Sequence, residues 1–428
     1  MIFILTQLKN LCQEDTPRFT AYVLWGICIS LFLFAFCTAT PIEIITGLGK
    51  IIMHPAGLIA DDIAIAGVGA TFFNAGLLMT VALSMFQLNK VPITGPGIAC
   101  IFLVAGFSMF GKDIANIWPI ILGVYLHAKH EHAPFSRYIY IALYGTALSP
   151  LITELALLTD NFYFSLFLVC TAGLMIGFIL APLSTYCLRV HQGYNLYNVG
   201  FSAGLLGTLL VALLRSFGYS PESQLVWTEV SPSSVIIYLY ALFSALLLLG
   251  LYLCDWKLEP YRRLYRHSGR LMSDFVLMDG MPVVLMNIGI LGIFGTSYVL
   301  GVNGPLNGPT IGGIFTIAGF AAFGKHIKNT VPIIAGVFVG SLVKVWDINS
   351  PAILLAALFG TSLAPISGQF GWVAGMVAGF LHSSLVLSIG SFHGGLNLYN
   401  NGFSAGLVAL ILVPLIESIE GEKKNASH

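Results

Sequence analysis

Charge is scarce in this chain: Asp, Glu, Lys and Arg make up 9% of its 428 residues, where a soluble domain carries about 25%. A water-solvated globular fold is excluded on that ground. Formal net charge is zero, so nucleic acid is not an implied partner. The seven cysteines (Cys12, Cys28, Cys37, Cys100, Cys170, Cys187 and Cys254) show no CxxC or other metal spacing. Most lie inside apolar runs and read as small buried hydrophobes. His127, His130 and His132 stand close together, but their spacing fits no ligand pattern and reads as a polar loop. HExxH, GxSxG, a Walker loop and paired catalytic carboxylates are all missing. The reading is therefore of a protein that is not an enzyme, with no catalytic residues, metal or cofactor, and not an ATP-driven pump by itself. Alternating ten-residue strands are missing too, which argues against a closed barrel. A cleavable signal is not expected, because the polar stretch Leu8–Arg18 precedes a full apolar span.

What the chain has in abundance is apolar sequence, 57% of residues with mean hydropathy +0.87. Runs of membrane-spanning length recur from end to end. Fourteen segments are expected. The first seven are 20–40, 62–88, 96–111, 114–128, 137–158, 163–185 and 198–215. The second seven are 233–254, 272–300, 309–323, 330–345, 351–366, 370–391 and 400–417. The predicted fold is an all-α polytopic membrane bundle in contact with lipid.

The two sets of seven are copies. Ile101–Lys112 and Ile314–Lys325 agree at 8 of 12 positions. At the same offset of 213, Asp61, Gly67, Asn74 and Gly76 fall on Asp274, Gly280, Asn287 and Gly289. Asn195–Leu205 and Asn397–Leu407 agree at 10 of 11 positions, and His191 and His393 each lie four residues before them. Seven spans per copy is odd, so the second copy is expected upside down. With the N-terminus inside, 15 Lys and Arg fall on the inner side and 4 on the outer, as the positive-inside rule asks. The expected organisation is a cytoplasmic segment 1–19, a first repeat 20–215, an outer linker 216–232, a second repeat 233–417 and a cytoplasmic tail 418–428. The expected location is the inner (plasma) membrane, with both termini cytoplasmic.

Segments 96–111 and 309–323 are half-helices, too short for a bilayer core of about 30 Å. Each opens with Gly-Pro, so each presents unpaired N–H groups and partial positive charge. The two N-termini, Thr94-Gly95 and Asn307-Gly308, are expected to meet at a central solute site. Valine at Gly95 or Gly308 is expected to stop transport while leaving the fold intact. Asn74 and Asn287, buried amides in apolar helices, and Tyr197, Asn198, Tyr399 and Asn400, in the duplicated NLYN motif, are the further solute-binding candidates. Gly200, Gly204, Gly402 and Gly406 give that motif the spacing of a close helix crossing. Glu154 and Asp279, carboxylates without a repeat mate, are candidates for proton or sodium coupling. Asp61 and Asp274 each open a helix and read as N-caps.

The segment plan resembles the uracil permease and anion exchanger superfamily, with seven plus seven inverted spans and short third and tenth segments. It departs from that pattern in lacking a binding Glu in the eighth span. FFNAGL near Phe72 and QGYN near Gln192 are similar to pieces of the urea channel motifs, more widely separated here. The chain also looks like an uncharacterised bacterial integral-membrane family of unknown function. The paired helix ends imply a transporter for a small anionic or strongly polar solute, and the resemblance to the permeases adds proton or sodium coupling as a candidate drive. The alternatives are a passive urea-type channel for a small neutral solute, or a membrane enzyme or receptor using His191 and His393. The lack of a catalytic signature and of a soluble domain argues against the last. Assembly into a homo-oligomer is left open.

Overall fold

The structure, a computed structural model, describes residues 2–55, 59–221 and 225–426. In the first half run α1 (Ile2–Glu14), α2 (Thr16–Thr38), α3 (Pro41–Met53), α4 (Asp62–Leu88), α5 (Gly95–Phe107), α6 (Trp118–His130), α7 (Ile139–Gly145), α8 (Ser149–Leu157), α9 (Phe162–Val190) and α10 (Asn198–Ser216). In the second run α11 (Ser233–Leu253), α12 (Glu259–Leu264), α13 (Phe275–Asp279), α14 (Met281–Gly301), α15 (Gly308–Phe320), α16 (Ile327–Val343), α17 (Pro351–Gly360), α18 (Ala364–Phe370), α19 (Trp372–Phe392) and α20 (Asn400–Ala426). The protein is all-α. Among the described residues the one β-bridge joins Ala60 to Val226. Among the described residues ten helical stretches are long and apolar enough to cross a membrane, two of them, Phe135–Leu157 and Pro351–Phe370, running through 3₁₀ turns; α5, α15 and α16 are shorter apolar helices.

Helices α5 and α15 form the centre. Every residue of α15 is buried, and every residue of α5 except Pro96. They run antiparallel: Gly106 lies against Gly312, Gly319 against Phe102, and each N-terminal glycine against the other helix's C-terminal end. A Cβ on Gly106 would come 2.8 Å from the Gly312 carbonyl. Only glycine permits that approach, so the small residues of the duplicated run are spent on this seam.

Around the centre the same pairings occur in both halves: α2 on α4 and α11 on α14, α6 on α9 and α16 on α19. Glycines again set the distance. A Cβ on Gly177 would sit 2.1 Å from the Ile120 carbonyl, and one on Gly379 2.0 Å from that of Ile333. Hydrogen bonds recur at matching positions too. Asn74 Nδ2 donates to the carbonyls of Ser108 and Lys112, at 2.7 and 2.8 Å. Asn287 Nδ2 donates to those of Ala321 and Lys325, both at 2.7 Å.

Three details differ from the sequence reading. First, segments 62–88 and 272–300 are not straight. Gly67, inside α4, has φ 83°, and Gly280, between α13 and α14, has φ 88°, a region open to glycine and strained for other residues. Second, 137–158 and 351–366 are interrupted by 3₁₀ turns at Thr146–Leu148 and Thr361–Leu363. Pro150 and Pro365 sit in the first turn of the helices that follow, and each lacks the N–H that would carry the ladder through. The carbonyls left at the breaks are used: Leu196 N–H donates to Ser362 O at 3.0 Å, and Leu398 N–H to Ala147 O at 3.1 Å. Third, Lys112 and Lys325, counted above on opposite surfaces, are both fully buried. Without them the inner and outer counts are 15 − 1 = 14 and 4 − 1 = 3, so the bias stands.

Outside the spans, Lys9 in α1 donates to Asp255 beyond α11. The hydrogen bond and charge of Lys9 hold that carboxyl below its ordinary range. It ties α1 to the second half.

Candidate functional site

The two half-helix N-termini do not share a pocket. In the antiparallel pair they stand at opposite ends, about 20 Å apart from the rise of 13 residues. Nor is either left open. Gly95 N–H donates to Asp274 Oδ1 at 3.0 Å, and Gly308 N–H to Asp61 Oδ1 at 2.8 Å. Asp61 and Asp274 do cap their own helices, through Ile63 N–H and Val276 N–H, each at 3.0 Å. Their second role, capping a half-helix of the other half, is one a linear reading misses. Each carboxylate takes up one orphan N–H and sits at the positive helix end; the start of α5 still borders a cavity, through Pro96. The valine expectation is corrected as well. A Cβ at Gly95 would meet the Ala322 carbonyl at 2.3 Å, and one at Gly308 the Met109 carbonyl at 2.0 Å. Such variants strike the fold itself.

Several other candidates serve as braces. Asn307 caps α15, accepting from Thr310 N–H at 3.2 Å and donating to Thr228 O at 3.1 Å. Thr94 precedes α5 without a side-chain cap bond. Asn74 and Asn287 spend their amide donors on the turn after each half-helix. Glu154 accepts from the Tyr219 hydroxyl, and Asp279 pairs with His267 at 2.9 Å. Neither carboxylate lies in a cavity described below.

The NLYN motifs are different: they do line space. A cavity of about 330 Å³ is walled by Tyr197, Asn198 and Tyr399 with Tyr140, Tyr144 and Phe320. A smaller one of about 140 Å³ is walled by Asn400 and Asn401 with Ile59, Leu355 and Leu387. The two occupy corresponding places. Asn198 and Asn400 are equivalent, as are Thr185 and Leu387, Tyr140 and Leu355, and Met272 and Ile59. The asparagine side chains are held alike. Asn198 Oδ1 is 2.9 Å from His191 Nε2, and Asn400 Oδ1 3.1 Å from His393 Nδ1. Both histidines are buried and stitch the motifs; they are not presented to solvent.

One aromatic cluster touches both cavities. Phe320, Phe323, Tyr197 and Tyr399 face the larger, and Leu355 and Ile59 the smaller. Phe107, Phe110 and Phe359 line neither and complete the cluster, with ring centroids 5.1 Å (Phe107–Phe110) and 5.5 Å (Phe107–Phe359) apart. Tyr197 and Tyr399 meet at 5.7 Å. Behind them α10 crosses α20 at Gly200 and Gly402, where an added Cβ on Gly402 would lie 3.1 Å from Gly200 Cα.

Sequence reasoning took Lys112 and Lys325 for surface charges. Lys325 Nζ donates to the Tyr197 hydroxyl at 2.7 Å and to Thr361 Oγ1 at 2.8 Å. Lys112 Nζ has no hydrogen-bond partner and rests 5.1 Å from the Phe107 ring centre. The available signal was that a lysine ends the duplicated apolar run in both copies.

A family model described as protein of unknown function (DUF1576) matches residues 40–216 and 254–418. No curated protein and no solved structure matches the chain.

Proposed function

We propose that this chain, which belongs to the DUF1576 family, is a membrane transporter that moves a small anionic or strongly polar solute. The observation that carries the reading is the pair of cavities at corresponding places in the two halves, joined by one aromatic cluster. A solute enters the cavity walled by Tyr197, Asn198 and Tyr399, the cluster blocks through-flow, and exchange of the two halves' conformations opens the smaller cavity instead. Inverted-topology repeats supply such paired states at little cost, because each half can adopt the other's arrangement. The shared offset of 213 in sequence, the matched asparagine bonds and the antiparallel α5 and α15 support that duplication. The larger cavity includes Leu271 and Met272, next to the basic run 257–270, so it is assigned to the cytoplasmic side. The packed rings favour a transporter over a passive urea-type channel, whose pore would stay continuous.

Thr185→Cys and Leu387→Cys test this. Each is introduced into a chain whose exposed cysteines, Cys37 and Cys170, are replaced. A membrane-impermeant maleimide should reach the two positions from opposite faces. Labelling of both from the same face defeats the reading. Flux into proteoliposomes under an imposed proton or sodium gradient then separates a coupled carrier from a passive one.

A further inference from the structure

We infer that Asp62 and Asp113 hold one proton between them and form the site at which a proton gradient drives this transporter. The coupling rests on the transport reading; the proton site rests on the two carboxylates themselves. Both are buried, 3% and 2% exposed. Together with His54, Ala60 and Gly111 they wall a pocket of about 10 Å³, room for about one water molecule. Asp62 Oδ2 has no hydrogen-bond partner among the described residues. Asp113 spends its Oδ1, accepting from Ala115 N–H at 2.7 Å and Asn116 N–H at 3.0 Å. No cation answers the pair. Among the described residues the ion pairs are Lys9 with Asp255 and His267 with Asp279. The charges that bear on Asp62 are those of Asp61 and Asp113, of its own sign. Lys112, next to Asp113 in the chain, turns its Nζ to the Phe107 ring.

Two ionised carboxylates in one buried pocket are costly twice over, through lost hydration and through mutual repulsion. One proton relieves both. It leaves a neutral carboxyl whose O–H donates to the other carboxylate, across a water in the pocket or directly, and gives the pair the donor it lacks. A metal ion fits less well: among the described residues no group of three or more His, Cys, Asp and Glu could hold one. The Gly111 carbonyl is already taken, by Asn116 Nδ2 at 3.3 Å and Ser149 Oγ at 3.2 Å. An alkali ion would find little oxygen beyond the two carboxylates.

The pocket has a way in and a connection to the route. His54 and Ile65 also wall an open groove of about 420 Å³, with Lys50 and Pro55. His54 Nδ1 lies 2.9 Å from the Pro55 carbonyl, which can only accept, so Nδ1 carries the hydrogen. Nε2 of the neutral ring then holds a lone pair. It takes a proton from a hydronium in the groove and gives it to the carboxylate pair, ending neutral again. On the other flank, Ala60 walls the pocket and its neighbour Ile59 walls the smaller cavity. Val226 holds this stretch: its N–H donates to Ile59 O at 2.9 Å, and its carbonyl accepts from Asp61 N–H at 3.0 Å. A change of charge at Asp62 thus acts on backbone that borders the smaller cavity. The second half has no such pair. At the offset of 213 Asp62 falls on Phe275 and Asp113 on His326, whose ring centres are 6.3 Å apart. The coupling candidates Glu154 and Asp279, by contrast, already have partners in Tyr219 and His267.

The test is infrared spectroscopy of the purified full chain, read at the carbonyl stretch of a protonated carboxyl, which a carboxylate lacks. At neutral pH the unaltered protein should show this band, and Asp62→Asn combined with Asp113→Asn should remove one carboxyl's worth of it. Asp62→Glu, which keeps an acid, should retain it. Circular dichroism and elution volume check that the variants fold. An unchanged band in the double asparagine variant overturns the proton site. So does a band that sodium chloride removes at constant pH and choline chloride does not, which would make the pocket a sodium site. Coupling is read from maleimide labelling of Thr185→Cys and Leu387→Cys, each normalised to unfolded protein at the same pH. Acidification should change the ratio of the two by roughly twofold or more, and the asparagine pair should abolish the change. A pH response equal in the asparagine variants overturns the coupling. Labelling of both cysteines from one face would defeat the transport reading while the infrared result stands; loss of the infrared difference leaves opposite-face labelling, and transport with it, in place.

Discussion

The carboxylate of Asp61 accepts the amide N–H of Gly308 at 2.8 Å, across 247 positions of chain. Asp274 does the same for Gly95 at 3.0 Å. Each half of the protein therefore closes the exposed helix end of the other, and α5 and α15 are fixed at both ends by residues from outside themselves. The linker joins in: Thr228 N–H and its hydroxyl both donate to Asp61 Oδ2. These contacts tie the two halves together at the centre.

Removing the carboxylates should therefore cost stability. Asp61→Ala and Asp274→Ala are each expected to lose about 1–3 kcal/mol, the penalty for stranding buried donors. Asn, which keeps one acceptor oxygen, should lose less. Thermal melting in detergent measures both. An alanine variant melting with the unaltered protein would show that the caps contribute nothing.

Gly95→Val and Gly308→Val should fail as folded proteins. The added Cβ at Gly308 falls 2.0 Å from a backbone carbonyl, and backbone held between packed helices has nowhere to go. The expected result is loss of the monodisperse peak on size exclusion. A well-folded Gly308→Val protein that merely lacked transport would restore the idea of an open helix-end site.

Asn74→Leu and Asn287→Leu leave two carbonyls each without their donor. Destabilisation of about 1–3 kcal/mol is expected for each. Asn287 also accepts from the Tyr261 hydroxyl at 3.3 Å, while Asn74 Oδ1 has no partner, so the loss at Asn287 should be the larger. If Asn74 instead held the solute, its replacement would change affinity with no change in melting temperature.

Phe359→Ala should open a leak. Its ring packs on Phe107 at 5.5 Å and Phe110 at 6.2 Å, in the part of the cluster that lines neither cavity. Truncation also costs about 3–5 kcal/mol of packing, so melting is measured alongside. The expected readout is faster, gradient-independent flux of small solutes into proteoliposomes than with the unaltered protein. Unchanged gradient-dependent flux would mean that these rings are no barrier.

The amino-acid sequence by itself determined the helical class, the positions of nearly all the segments and the correspondence between the two halves. Those follow from local causes: apolar run length, Gly-Pro starts, and Gly, Pro, Asn and His recurring in one order. It also singled out Tyr197, Asn198, Tyr399 and Asn400, because polar groups at the mouth of an apolar helix need partners. What it could not determine is which group ends up beside which. Whether the tips of α5 and α15 meet or stand apart depends on how two helices pass each other, and that is set by glycine seams between distant stretches. Whether Lys112 and Lys325 face water or rings depends on what is packed over them, since a lysine after an apolar run reads the same in either place. Only the tertiary structure shows aspartates seated at both helix ends and cavities beside the aromatic cluster, walled in part by Tyr197 and Tyr399.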